Sequence, residues 1–229
     1  MVILKLIEKK NLFSDVIIFL FEPETPVQWQ PGQYMHYHFD HPEADERGVE
    51  RWFTISTAPY EINLAITTRI ATQKGSSFKQ ALKELPVGAT IKAEGPKGQF
   101  VIGDTSKKPI LVAGGIGITP YRSMLLQMDH DGKEINVDLL YANRDENFVF
   151  GDELKALQAK HPNFKIYKFM GDHHIQEADL KPYADDQDTI IYLSGPEPMI
   201  EAFEDTLKEN LQVPEDRIKT DFFPGYPPE

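Results

Sequence analysis

The amino-acid sequence predicts two domains of different class: an N-terminal antiparallel six-stranded β-barrel over residues 1–106 and a C-terminal α/β domain, a doubly wound parallel sheet, over residues 107–229. Three observations carry this expectation. A chain of 229 residues is too long for one small core and suits two domains of ordinary size. The first hundred residues alternate short apolar runs with turn signals, the pattern of a small barrel or sandwich. After Pro109, short apolar runs alternate with stretches of helical period, the βαβ signature of a parallel sheet.

The expected strands of the first domain fall at residues 2–8, 15–22, 33–39, 51–56, 62–70 and 90–94. One helix interrupts them at residues 77–85, where Phe78, Ala81, Leu82 and Leu85 recur at helical spacing and Pro86 and Gly88 close the pattern. The segment 104–109, Asp-Thr-Ser-Lys-Lys-Pro, has the composition of a linker and marks the boundary. Beyond it, the run 110–113 leads into a glycine-rich turn and a helix over 121–128. Strands at 137–141, 164–169 and 189–193 then alternate with helices at 151–160 and 197–210.

Composition narrows the chemistry. Hydrophobic residues make up 41% and charged residues 26%, as in an ordinary soluble globular protein. No run approaches the roughly 20 apolar residues that span a bilayer. Lys5 and Glu8 interrupt any signal-peptide core, so a cytoplasmic location is expected, with no membrane insertion. With no cysteine, the chain has no disulfide, no thiolate-ligated iron–sulfur cluster and no cysteine nucleophile; one-electron chemistry falls to an organic cofactor or a partner. Histidines 36, 38, 41, 173 and 174 follow no established ligand spacing, so no metal site is expected.

The net charge of −12 is unevenly spread. Residues 1–68 carry 5 basic and 10 acidic side chains, residues 69–110 carry 8 and 3, and residues 111–229 carry 11 and 23. The acidic total argues against nucleic-acid binding. The basic middle segment suits a pyrophosphate, an acidic protein partner or simply solvent.

Two short runs carry the most chemistry, Arg51-Trp52-Phe53-Thr54 and the run from Gly114 to Pro120. An arginine fork matches phosphate oxygens, and a nearby hydroxyl can donate or accept a hydrogen bond. In the second run a strand delivers the chain to Ala113. Gly114, Gly115 and Gly117 then allow a tight turn and close backbone approach, and Thr119 with Pro120 fits an N-cap followed by the first helical position. Such a helix start faces an anion. Pro120 stands where the last glycine of a G-x-G-x-x-G fingerprint would be. Gly75-Ser76-Ser77 precedes the helix of the first domain and offers either an ordinary cap or further phosphate donors.

Taken in order, these motifs resemble the ferredoxin-NADP(+) reductase family nearly end to end, without a fused ferredoxin domain in these 229 residues. Members join a flavin-binding barrel to a nicotinamide-binding α/β domain. The resemblance implies FAD and either NADP(H) or NAD(H) as cofactors. It implies FAD contacts from Arg51 to the pyrophosphate, from Trp52 within the same motif, from Phe53 against the isoalloxazine, and from the Thr54 hydroxyl near N5. Phe53 stands where many relatives have tyrosine, so one hydroxyl contact to the ribityl chain is missing. Thr67 and Thr68 lie on the strand that borders the ring, Gly75, Ser76 and Ser77 form the second phosphate segment, and Gly95–Phe100 resembles the turn that ends the barrel.

For the nicotinamide nucleotide, the implied residues are Gly114, Gly115, Gly117, Thr119 and Pro120, together with Gly195, Pro196 and Met199. The latter three belong to a segment similar to the family's Cys-Gly-Pro-x-x-Met, with Ser194 in the cysteine's place. Asn143 and Arg144 follow the second strand of the α/β domain, where Arg144 favours a 2′-phosphate and Asp145 a free ribose hydroxyl; the balance tilts to NADP(H). In the tail, Asp221 supplies a carboxylate near the active centre and Phe223, or alternatively Tyr226, stacks on the flavin.

The implied activity is a hydride transfer from NAD(P)H to flavin N5, tuned by Thr54, Ser194 and Asp221, with single electrons passed to a separate ferredoxin, flavodoxin or oxygenase component. Two alternatives stay open: an NAD(P)H:flavin reductase for which flavin is a diffusible substrate, and an electron-transfer or regulatory subunit of a larger complex.

Overall fold

A computed structural model describes residues 1–71, 75–103 and 107–221. The chain divides into two compact units, Met1–Val101 and the residues from Ile102 onward. Part of the expected linker, residues 104–106, lies outside the described residues, as do Phe223 and Tyr226 of the tail.

The first unit is one antiparallel sheet of β1 (Val2–Asn11), β2 (Val16–Pro23), β3 (Tyr34–His38), β4 (Glu50–Thr54), β5 (Leu64–Arg69) and β6 (Thr90–Lys97). Its strand order is β4-β3-β6-β1-β2-β5. Just past β4 the two edges meet: the Ser56 N–H donates to the Ala65 carbonyl at 3.0 Å, and the Ala65 N–H donates to Thr57 Oγ1 at 3.2 Å. The sheet is therefore rolled upon itself as the barrel expectation requires. Alternation fills the interior with Leu4 and Leu6 of β1, Phe19 and Phe21 of β2, Met35 and Tyr37 of β3, and Phe53 of β4. The one α-helix among the described residues of this unit, α1 (Ser77–Glu84), closes the barrel by inserting Phe78 and Leu82 into the same core.

Several strand limits differ from expectation: β1 runs on to Asn11, past residue 8, and β4 ends at Thr54, before residue 56. β5 starts at Leu64, not residue 62, because Pro59 opens a 3-10 turn, Pro59–Glu61, fastened by the Ala58 N–H on Glu61 Oε2 at 2.7 Å. Ile62 follows at φ 68°, with the Asn63 N–H donating to the Glu61 carbonyl at 2.7 Å, a γ-turn of the rarer, strained hand. β6 runs three residues past the predicted end, through Gly95 at φ 121° to Lys97.

The second unit contains β7 (Lys108–Gly114), α2 (Thr119–His130), β8 (Val137–Asn143), α3 (Gly151–Lys160), β9 (Phe164–Met170), α4 (Glu177–Asp185), β10 (Thr189–Ser194), α5 (Glu197–Asp205) and β11 (Ile218–Asp221). All strands are parallel, in the order β11-β10-β7-β8-β9. The chain winds outward from β7 through β8 and β9, then returns to the other side of β7 to lay down β10 and β11. This reversal is a topological switch point between β7 and β10, and ligands of such sheets bind beyond the carboxyl ends of the strands there.

Two elements escaped the sequence. α4 forms despite Pro182, because its first turn is closed by the Gln176 N–H on Asp179 Oδ2 at 2.8 Å and it buries Leu180 and Ala184. β11 pairs Asp221 with Ser194 in register. The helix expected over 197–210 is α5 continued by a wider π turn, Thr206–Asn210. Arg217, just ahead of β11, is buried and donates to the carbonyls of Tyr183 (2.9 Å), Ala184 (3.2 Å), Asp186 and Thr189 (3.0 Å). It thereby satisfies carbonyls left over at the end of α4. Among the described residues, no helix is long and apolar enough to cross a membrane, and no group of three or more His, Cys, Asp or Glu is placed to hold a metal.

Candidate functional site

In the first unit the predicted phosphate donors converge. β4 alternates, so Arg51 and Phe53 face inward while Trp52 faces outward and stacks on His36 with ring centroids 4.5 Å apart. Trp52 is thus on the opposite strand face from its motif neighbours. Arg51 is 3% exposed. Its Nη2 donates to Ser76 Oγ at 2.9 Å, its Nη1 to the carbonyls of Arg47 (2.6 Å) and Gly48 (3.4 Å), and its guanidinium lies 5.6 Å from the Phe78 ring centre.

Ser76 stands at the N-cap of α1, yet its hydroxyl makes no cap bond; it serves Arg51 instead. The capping group is Asp45, whose Oδ2 accepts the Ser77 N–H at 2.8 Å and Arg47 Nη2 at 2.6 Å. Arg47 in turn donates to the Gly75 carbonyl at 2.9 Å. Hydrogen bonding from the Arg47 side chain, helped by the Ser77 N–H, holds the Asp45 carboxyl well below the usual carboxylate range against the opposing effect of burial. Ser77 Oγ accepts the Asp45 N–H at 3.0 Å and meets His41 Nε2 at 3.0 Å, while His41 Nδ1 meets the Phe39 carbonyl at 2.8 Å. The ring of His41 thus bridges the Phe39 carbonyl and the Ser77 hydroxyl. Phe53 packs against Tyr37 and Phe78, at 5.8 and 6.0 Å between ring centres. Thr54, Thr67 and Thr68 are buried, and Thr67 Oγ1 meets Ser56 Oγ at 2.7 Å.

Sequence reasoning missed Asp45 and Arg47. The only local signal was an acidic and a basic residue two apart in a loop leading to Arg51.

In the second unit the residues gather at the switch point. β10 ends at Ser194, in register with Ala113 of β7 and with Asp221 of β11. Ser194 Oγ donates to Asp221 Oδ2 across 3.4 Å. Beneath them Tyr121 is fully buried and donates to the Val112 carbonyl at 3.2 Å; burial first, then the charge of Asp221, pushes its hydroxyl pKa well up.

The three glycines of the turn serve different ends. A Cβ on Gly117 would lie 2.3 Å from the Ser194 carbonyl oxygen, and one on Gly114 would lie 2.5 Å from Met199 Sδ and 3.0 Å from Pro196 Cδ. These two glycines let the turn lie against the segment from Ser194 to Met199. Gly115 is needed for its backbone, at φ 53°, and a Cβ there meets nothing closer than 3.9 Å. Tyr141 holds this turn by donating to the Gly115 carbonyl at 3.1 Å.

Thr119 is not the N-cap that its spacing suggested. A 3-10 turn, Gly115–Ile118, runs straight into α2, so Thr119 is already helical and its hydroxyl donates back to the Ile116 carbonyl at 3.1 Å, with Pro120 in the first turn. At the end of β8, Asn143 Nδ2 donates to the carbonyls of Asp145 (3.0 Å) and Asn147 (3.1 Å), and Asp145 Oδ1 accepts the Asn147 N–H at 2.8 Å. Asp145 therefore knots its own loop, and Arg144 beside it is exposed.

Both sites fit a dinucleotide phosphate. In the first unit, two guanidinium groups and a helix-terminal N–H surround the Asp45 carboxylate, a donor set of the kind that suits phosphate oxygens. In the second, a 3-10 turn that opens at Gly115, where a Cβ meets nothing closer than 3.9 Å, leads into α2 at the switch point of a parallel sheet.

Comparison with known proteins agrees. The model of the oxidoreductase FAD-binding domain matches residues 3–102 and that of the oxidoreductase NAD-binding domain matches residues 111–205. The ferredoxin reductase component of 3-ketosteroid-9-alpha-monooxygenase from Mycobacterium tuberculosis is 29% identical over 211 residues, 88% of this chain and 58% of that protein. A flavohemoprotein of Candida albicans is 31% identical over 214 residues, 86% of this chain and 52% of its own length. The chain thus spans about half the length of these relatives. The flavohem-like FAD/NAD-binding domain of nitric oxide dioxygenase from Vibrio cholerae has the same fold, with a TM-score of 0.82 at 22% identity over 97% of this chain and 98% of that one. The chain belongs to the ferredoxin-NADP(+) reductase family, in which an FAD-binding barrel is followed by an NAD-binding α/β domain.

Proposed function

We propose that this chain is an FAD-dependent NAD(P)H oxidoreductase that delivers electrons to a separate soluble acceptor such as a ferredoxin, a flavodoxin or an oxygenase component. Residues 1–106 form the flavin domain in this reading, residues 107–229 the nicotinamide domain, and the setting is cytoplasmic. The observation that carries it is the pairing, in one chain, of an arginine- and serine-lined anion cradle on a barrel with a glycine turn at the switch point of a parallel sheet. The flavin ring supplies hydride acceptance and single-electron release.

The chain's own residues bind, orient and move protons. Arg51, Arg47, Ser76 and Ser77 hold phosphate, and the Thr54 hydroxyl serves flavin N5. In the second unit the backbone at Gly115 and the start of α2 hold the nicotinamide nucleotide's phosphates, while Gly195, Pro196 and Met199 border the nicotinamide. Ser194 and Asp221 form a hydroxyl–carboxylate pair that exchanges a proton with solvent. Arg144, exposed just beyond the end of β8, is the residue for a 2′-phosphate in this reading, which favours NADPH over NADH. Purified chain incubated with FAD and freed of excess should oxidise NADPH with ferricyanide, and Arg144→Ala should raise the KM for NADPH without changing that for NADH. A chain inert with both nucleotides contradicts the proposal.

One observation favours a second reading. Arg51 Nη1 is turned to loop carbonyls and Asp45 holds the start of α1, an arrangement that suits flavin taken as a diffusible substrate.

A further inference from the structure

The phosphate-accepting end of α1 already holds an anion belonging to the chain. Asp45 Oδ2 takes the Ser77 N–H and the Arg47 fork, Asp45 Oδ1 accepts the Arg47 N–H at 3.0 Å and lies 3.7 Å from Arg51 Nη2. The contact is reciprocal, since the Asp45 N–H donates to Ser77 Oγ. The loop bearing Asp45 is also stitched down on Arg51 through the carbonyls of Arg47 and Gly48. One helix-terminal N–H, two guanidinium groups and two serine hydroxyls are the donors that a diphosphate needs. They cannot serve a carboxylate and a phosphate together: each N–H has one acceptor, and two anions a few ångströms apart in a part-buried site repel. Arg47 keeps the carboxylate ionised at neutral pH, so protonation does not clear the site.

We propose that Asp45 is an internal competitor for the phosphate cradle, one that weakens the hold on the diphosphate of FAD and so sets how readily flavin leaves the chain. This rests on the reading of the barrel as the flavin site. For FAD to use the Ser77 N–H and both arginines, the loop must lift its carboxylate from α1. Riboflavin, which has no phosphate, meets no such competition.

The test compares the full chain with Asp45→Asn and Asp45→Ser, both of which remove the charge while keeping a good helix-capping side chain. Dissociation constants for FAD and for riboflavin are read from flavin fluorescence. Expected is an FAD constant at least tenfold lower in both variants, equivalent to about 1.4 kcal/mol, with riboflavin changed less than twofold. An FAD constant unchanged or higher, or a riboflavin constant that falls by the same factor, overturns the inference while the flavin reading stands. Failure of all three proteins to bind either flavin overturns that reading and the inference with it.

Discussion

Replacing Gly117 by alanine is the sharpest test of why glycine is needed in the turn after β7. The new Cβ would lie 2.3 Å from the Ser194 carbonyl oxygen, 2.5 Å from its carbon and 2.6 Å from the Gly195 nitrogen. All three are backbone atoms at the end of a buried strand, so no side chain can swing aside. To reach the 3.4 Å of ordinary contact, the turn and the end of β10 must part by about 1 Å. Overpacking of this kind costs about 1–3 kcal/mol, and contact with rigid backbone places it near the upper figure. Parting by about 1 Å also displaces Ser194 from Asp221 and the turn from its ligand, where misplacement of this size can cost about 100-fold in rate. Gly115→Ala provides the contrast. It incurs the left-handed backbone penalty of about 1–2 kcal/mol but meets no atom within 3.9 Å. Urea unfolding followed by far-UV circular dichroism should rank Gly117→Ala below Gly115→Ala in stability, and kcat/KM with NADPH should follow the same order. A Gly117→Ala protein as stable as the parent, or more stable than Gly115→Ala, refutes the packing argument.

Three further outcomes follow from the packing and charge of the two units. Tyr37 is fully buried and its hydroxyl has no hydrogen-bond partner among the described residues, so burial drives its pKa up; Tyr37→Phe should leave stability unchanged or raise it by about 1 kcal/mol in urea unfolding. Arg217→Met should cost about 3 kcal/mol by the same measure, because it strips buried carbonyls at the end of α4 of their donor. Hydrogen bonds from Arg47, and from Lys160 and His161, hold Asp45 and Asp129 below the ordinary aspartate value of 3.8. A depressed carboxyl stabilises the fold fully above its unfolded value and loses that contribution as pH falls through its folded value. Asp45→Asn and Asp129→Asn should therefore each flatten the decline in urea midpoint between about pH 5 and about pH 2, and a slope identical to the parent's would count against both networks.

The architecture was legible where one physical rule governs a whole element. Short apolar runs separated by turn signals marked the barrel strands, and the change of period after Pro109 marked the wound sheet. Where rules compete, the sequence misled. Pro182 reads as a helix breaker, but α4 tolerates it because the first turn is capped and Leu180 and Ala184 are buried. β11 is short and reads as part of a tail until β10 is there to pair with it.

At the site, the residues of both motifs could be named but not their duties. Trp52 adjoins Arg51 and Phe53 in sequence, yet strand alternation turns it to the other face. Gly114, Gly115 and Gly117 look alike as letters; two are demanded by the neighbouring turn and one by its own backbone. The cap of α1 was least readable, because Asp45 lies 32 residues from Ser77 in sequence and no local pattern joins them. Phe223 and Tyr226 lie outside the described residues, so the stacking expected of the tail stays with the sequence.

The most direct test of the account is an anaerobic absorbance titration of the FAD-loaded chain with NADPH and, separately, NADH. Full loss of the oxidised flavin bands at about one equivalent of NADPH is predicted, with NADH the poorer reductant. A flavin spectrum unmoved by either nucleotide contradicts the claim that one chain serves both cofactors.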